Sequence, residues 1–322
     1  MTGRTARRRI LRIAVPAPVG AVSSGGPGSA GDPVGRVSSG PGSAVLSHRA
    51  DLLATEEPLA IRVNGRPLAV TMRTPGDDID LAAGFLATEG LVRAASDITE
   101  IRICQESHDH HPVTSQNGTA QHDPMANAED SDHGNVADVT LAAGIEIDDD
   151  RLRRNFLTTS ACGVCGKASI DAIRVRASYD VAADHANISP GVLAELPGKL
   201  RDAQRVFART GGLHAAGAFT IDGTLLALRE DVGRHNAVDK VVGWALREGR
   251  LPLAGCILLV SGRASFELVQ KALVAGLPML AAVSAPSSLA AELADEAGLT
   301  LVGFLRGGSM NVYTGASRIS AS

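Results

Sequence analysis

Three apolar runs that alternate with helix-length segments constrain the fold of this chain more than any other feature. Cys256–Val260, Met279–Val283 and Leu299–Phe304 are short and rich in Leu, Val and Ile, and they are separated by Phe266–Ala275 and Leu289–Ala297, whose apolar residues recur at helical spacing. Successive strands joined through a helix cannot close as hairpins. A crossover of that length makes them parallel neighbours, with helices packed on the sheet. Gly217–Ile221 and Leu225–Leu228 flank the turn dipeptide Asp222-Gly223, Ala172–Val175 is a further strand-like run, and Asn236–Arg247 is a further helix. The expected unit, residues 158–322, is an α/β domain whose sheet is parallel in its latter part.

The N-terminal half has a different grammar. Leu59–Met72 alternates about Asn64-Gly65, a dipeptide suited to a two-residue hairpin turn. Asp77 or Asp78 then caps an apolar-periodic segment containing Leu81, Phe85 and Leu86 that stops at Gly90. Ile98–Cys104 and Val136–Leu141 alternate again, so residues 51–157 are expected to form a small α+β unit. Between those strands, Gln105 to Asn135 holds no Lys or Arg and five histidines, His108, His110, His111, His122 and His133. Such a tract can hold metal, but the simpler expectation is a polar, disordered insertion over about 106–135. Residues 1–50 carry seven arginines and one acid, followed by a Gly/Ser/Pro-rich tract from Val19 to Ser43, and are expected to be a disordered tail. Arg7-Arg8-Arg9 resembles part of a twin-arginine export signal, but Arg12, Pro16 and Pro18 interrupt the apolar segment that should follow.

With 322 residues and 44% hydrophobic content the chain can build two units, and with 3% aromatics their cores must be mostly Ala, Val, Leu and Ile. A net charge of −4 gives no electrostatic case for nucleic-acid binding. No apolar run reaches the roughly 18 to 20 residues needed to span a bilayer.

The residues most able to do chemistry are Cys162 and Cys165, a CxxC with glycine after each cysteine, followed by Lys167. Structural zinc would need four ligands, whereas the remaining cysteines, Cys104 and Cys256, are isolated in apolar runs. A thioredoxin-like pair would open a helix after a strand, and a stable disulfide fits poorly with four cysteines in so long a chain. The remaining reading is a nucleophilic thiol that carries a group, with Lys167 favouring the thiolate.

Ligands of parallel sheets sit beyond the carboxyl ends of the strands. Here those ends are Ser261-Gly262-Arg263, Ser284-Ala285-Pro286-Ser287-Ser288 and Arg306-Gly307-Gly308-Ser309, and the first two run into helix starts whose free amides favour anions. Together they suit a phosphate-bearing ligand. Arg229 to Lys240, REDVGRHNAVDK, concentrates polar groups at another strand-to-helix turn. Surface ion pairing at a helix start and a site role are both open there, with His235 able to act as acid or base.

These stretches, SACGVCGK, REDVGRHNAVDK, SGRASFELVQK, the SAPSS turn and GFLRGGSMNVY, occur in the order found in one family. From about Thr55 to Thr314 the chain resembles the formate dehydrogenase accessory sulfurtransferases, the FdhD proteins; the tail and the histidine-rich insertion depart from the pattern. The resemblance implies a cytoplasmic homodimer with a cytidine-deaminase-like three-layer α/β domain after a smaller α+β domain. It implies sulfur taken as a persulfide from a cysteine desulfurase and delivered to the molybdenum bis(molybdopterin guanine dinucleotide) cofactor of formate dehydrogenase. By position, Cys162 is the implied persulfide carrier, Cys165 its partner, and Phe304, Leu305, Arg306, Gly307, Gly308 and Ser309 the cofactor-binding stretch. A zinc deaminase would share the implied fold, but its HxE signature is missing, since none of the nine histidines has glutamate two places later, and Ala161 stands where proline would precede Cys162. A cofactor carrier with incidental thiols is the other alternative.

Overall fold

The computed structural model describes residues 4–14, 45–104, 134–145 and 179–320. Cys162, Cys165, the expected strand at Ala172–Val175 and nearly all of the histidine-rich insertion lie outside the described residues.

The larger sheet has six strands, β7 (His214–Thr220), β8 (Leu225–Asp231), β9 (Cys256–Val260), β10 (Met279–Ala282), β11 (Thr300–Arg306) and β12 (Ser309–Thr314), in the order β12-β11-β10-β9-β7-β8. β9, β10 and β11 are parallel, as their crossovers require, and β7, β8 and β12 are antiparallel to their neighbours. Residues along each strand alternate between two cores. Ala215, Phe219, Ile257, Leu259, Met279, Ala281 and Val302 pack under Leu193, Leu196 and Leu200 of α2 (Pro190–Ala203). Ala216, Ala218, Leu258, Val260, Leu280 and Leu301 face α4 (Arg234–Arg247), α5 (Phe266–Val274) and α6 (Ser288–Glu296). Burial on both faces is why the central strands read as unbroken apolar runs. The unforeseen α2 starts as helices do, with Ser189 Oγ accepting from Val192 N and Pro190 in the first turn.

The smaller sheet has the order β4-β3-β6-β5, built from β3 (Glu57–Val63), β4 (Arg66–Arg73), β5 (Ile98–Cys104) and β6 (Val136–Leu141). Asn64 and Gly65 form the expected turn, with φ of 49° and 73°. Cys104 pairs with Val136, so the chain leaves β5 and re-enters β6 at adjacent positions. Helix α1 (Asp78–Thr88) ends at Gly90, φ 70°, with Leu91 N donating to Leu86 O.

Helix α1 joins the two sheets. It lies against α4 so closely that a Cβ on Gly84 would sit 1.7 Å from Asp239 O, and one on Gly243 1.8 Å from Asp80 O. The contact merges the apolar face of the small sheet, Leu59, Ile61, Ala137 and Val139 among others, with that of the large sheet into one core. Around the contact lie buried ion pairs. Lys240 Nζ is 2.7 Å from Asp231 Oδ2 and Lys271 Nζ 2.8 Å from Asp239 Oδ1, with Thr88 Oγ1 donating to the same Asp239 oxygen. Burial alone would push the Lys271 pKa down, but the Asp239, Glu89 and Glu267 carboxylates together outweigh it and raise the pKa, which holds the ammonium charged.

The expected tail needs correction. β1 (Thr5–Ala14) and β2 (Val45–Ala54) form an antiparallel ribbon, Thr5 opposite Ala54 and Ala14 opposite Val45. Thr55 N donates to Arg4 O, and Arg4 pairs with Asp77 at 2.5 Å, which ties the ribbon to the start of α1. Composition averaged over 50 residues hid the extended segment Arg7-Arg8-Arg9-Ile10-Leu11-Arg12-Ile13, whose apolar residues alternate only weakly.

Candidate functional site

The strand directions bring the expected loops to one rim. β9, β10 and β11 end there. β7, running the opposite way, begins there at His214, and β8 ends there at Asp231, its cross-strand partner. Backbone bonds lace the loops together: Ser284 N donates to Gly262 O, Ala264 N to Ala285 O, Ser287 N to Ala264 O and Phe304 N to Ser284 O. Gly303 is needed for this approach, because a Cβ would come 2.8 Å from Pro286 Cδ and 3.2 Å from Ser284 O. Ser287 caps α6 through Ala290 N, whereas Ser265 at the start of α5 and Gly233 at the start of α4 leave the first amides without a side-chain cap.

The stretch Phe304–Ser309 divides by role. Phe304 has φ 52°, a left-handed conformation that a bulky residue rarely takes, and it produces a register shift between β11 and β12. The bulge turns Leu305 fully into the core beneath α2, so only its backbone is available to a ligand. Arg306 is exposed, its guanidinium 5.8 Å from the Phe304 ring centre. Gly307 and Gly308, φ 58° and 75°, form the two-residue turn into β12, and Ser309 opens that strand with its Oγ donating to Arg306 O. β12 was not foreseen, since the glycine pair reads equally well as an open loop. What this stretch offers a ligand is an exposed arginine and backbone amides on a two-residue hairpin.

REDVGRHNAVDK proves to be two structures in one. Glu230 accepts from Val206 N and Phe207 N at the start of α3 (Arg205–Thr210), and Arg229 pairs with Asp80 at 2.7 Å. Asp231 accepts from Thr74 N, Gly233 N and Asn236 Nδ2 as well as Lys240, while Asn236 Nδ2 also donates to Met72 O. These residues fasten the smaller sheet to the larger. Arg234 and His235 alone turn to the rim. His235 Nε2 lies 2.8 Å from Glu267 Oε2 and 3.3 Å from Ser265 Oγ, and the imidazole holds the Glu267 carboxyl below its usual pKa. His214 was missed from sequence. It sits in an otherwise apolar strand, and only the β7–β8 register places it beside Asp231.

Neither remaining cysteine is at the rim. Cys104 is exposed at the end of β5, and Cys256 opens β9 at the far end, where burial pushes its thiol pKa up. No group of three potential metal ligands occurs among the described residues. Among them too, no helix is long and apolar enough to cross a membrane. A groove of about 530 Å³ opens away from the rim beside Asp184, His185, Thr314 and Arg318. Arg318 donates there to the carbonyls of Val181, Ala182, Asp184 and Gly298, so its charge braces the fold.

The whole arrangement has relatives. The chain is 56% identical over 276 residues to the Sulfur carrier protein FdhD of Streptomyces coelicolor, covering 85% of this chain and 91% of that one. It is 49% identical over 320 residues to the protein of the same name from Nocardia farcinica, covering 99% and 96%. A crystal structure from Desulfotalea psychrophila, described as a formate dehydrogenase accessory protein, superposes with a TM-score of 0.62 at 24% identity, covering 89% of this chain and 97% of that one, and supports the mixed α/β fold. The FdhD/NarQ family model matches residues 54–320, from the end of β2 to the last described residue, and this chain belongs to that family.

Proposed function

We propose that this protein is a sulfurtransferase that receives sulfur on Cys162 from a cysteine desulfurase and delivers it to the molybdenum bis(molybdopterin guanine dinucleotide) substrate destined for a formate dehydrogenase. The observation that carries the reading is the rim: three loops from separate strands, two of them bearing arginine, are laced into one anion-favouring surface. Its relatives are named for carrying sulfur, and the same role accounts for a glycine-flanked thiol pair in a chain of four cysteines. On this reading the protein works in the cytoplasm as a homodimer, with the rim as the receiving face of a cytidine-deaminase-like domain.

The chemistry balances without a further oxidant. The Cys162 thiolate attacks the outer sulfur of the donor persulfide, the donor cysteine leaves as a thiolate, and Cys162 keeps the transferred sulfur. Attack of Cys165 on the inner sulfur would then release the outer one to the metal and leave a disulfide for a cellular thiol to reduce. Activation of a sulfur-free formate dehydrogenase by the desulfurase, cysteine and this protein tests both steps. Cys162→Ala is expected to abolish activation. Cys165→Ala is expected to stop it after Cys162 is loaded, and full activation with Cys165→Ala would refute the second step. Full activation by Cys162→Ala would favour a cofactor carrier with incidental thiols.

A further inference from the structure

The rim holds a cationic cluster separate from Phe304–Ser309. Arg234 opens α4, and its guanidinium forms no hydrogen bond or ion pair with the described residues although Nε is buried. Buried donors are almost always satisfied, so one left open in a fold otherwise rich in paired charges calls for an acceptor. His214 stands across Gly262 from it: a Cβ on Gly262 would lie 3.3 Å from His214 Nδ1 and 4.0 Å from Arg234 Cδ. The nearby acids are already engaged. Asp231 is bound by Lys240 and three N–H groups, and Glu267 is paired with His235. Arg263, on the loop after β9, is exposed and adds a second cation without a partner among the described residues. The uncapped starts of α4 and α5 add free amides.

We infer that Arg234, His214 and the backbone at Gly262 form a grip for a phosphate or diphosphate group, a binding site additional to the Phe304–Ser309 hairpin. The inference deepens the reading of the rim as the receiving site for a phosphate-bearing substrate. A guanidinium forks onto two phosphate oxygens, glycine lets the backbone come close, and a half-buried imidazole donates to the anion once protonated.

The grip carries a proton signature. Burial, then the Arg234 charge, then the His235 charge lower the His214 pKa, against the pull of Asp231. An anion seated beside Arg234 cancels the cationic contributions, so the His214 pKa rises on binding and a proton is taken up. Affinity therefore increases as pH falls through the bound-state pKa of His214 and levels off below its free-state pKa.

Calorimetric titration of the full chain at constant ionic strength tests this with inorganic pyrophosphate, orthophosphate and a nucleoside diphosphate. Arg234→Met is expected to weaken pyrophosphate binding by about tenfold or more while moving the melting temperature little, because Arg234 forms no hydrogen bond or ion pair with the described residues. Sulfate, whose charge is constant near neutral pH, is expected to raise the His214 pKa read by NMR. It should do so in the wild type and fail to do so in Arg234→Met. Tighter binding of the nucleoside diphosphate would support the grip and identify a nucleotide-borne group; equal binding would support it for the bare diphosphate. No pyrophosphate binding, equal binding by Arg234→Met, or an unmoved His214 would overturn the proposal. Sulfur loading of wild-type Cys162 by a desulfurase is a separate readout, and its failure would sink the carrier reading while leaving the anion grip in place.

Discussion

Gly243→Val is expected to unfold the protein or to lower its stability by more than about 4 kcal/mol. Overpacking in a core that can adjust costs about 1–3 kcal/mol. Here no flexible side chain can give way, because the atom in the path is the backbone oxygen of Asp80, 1.8 Å from the position of even the first added carbon. Room can be made only by moving α1 away from α4, and that separates the two halves of the shared core, Leu81, Ala83 and Ala87 from Val238, Val241 and Val242. A loss of this size is a large part of the roughly 5–15 kcal/mol that holds a domain folded. Guanidinium unfolding reads it as a shift in midpoint, and Gly84→Val should behave alike from the other helix. A Gly243→Val protein with wild-type midpoint would mean that the helices do not touch as described.

Asp231→Ala is expected to cost about 3–5 kcal/mol, the range for stripping a buried charge of its partner. The lysine left behind, Lys240, is fully buried, and the amides of Thr74 and Gly233 and the Asn236 side chain lose their acceptor. Since Thr74 belongs to the smaller sheet's side of the joint, the loss also loosens the attachment of that sheet to the larger. The pair can be separated from the rest of the network by a double-mutant cycle. Asp231→Ala with Lys240→Met should be less destabilised than the sum of the single changes, because the second removes the orphaned charge. Additivity within about 0.5 kcal/mol would show that the two side chains do not interact.

These two predictions mark where sequence reasoning stopped. The parallel strands, their helices and the Asn64-Gly65 and Asp222-Gly223 turns could be read directly, because periodicity and turn chemistry are local. Gly84 and Gly243 could not. A glycine inside a helix pattern looks like a weak spot until its neighbour across space is known. The polar run from Arg229 to Lys240 was visible as unusual, yet its division into joint and rim depends on Thr74, Met72 and Asp80, more than 140 positions away. His214 escaped for a similar reason, since its partners Asp231, Gly262 and Arg234 come from three other elements. The ribbon of β1 and β2 was masked by the Gly/Ser-rich tract between its strands, which dominates the composition of the first 50 residues. Leu305 shows the reverse. The resemblance implies a place for it in a binding stretch, but the bulge at Phe304 turns its side chain into the core.

Mass spectrometry of the protein after incubation with a cysteine desulfurase and cysteine, followed by alkylation and digestion, tests the central claim most directly. The account predicts one additional sulfur atom on the peptide containing Cys162, removed by a reducing thiol and absent from Cys162→Ala. An unmodified Cys162 peptide beside a fully active desulfurase, or equal sulfur uptake by Cys162→Ala, would contradict it.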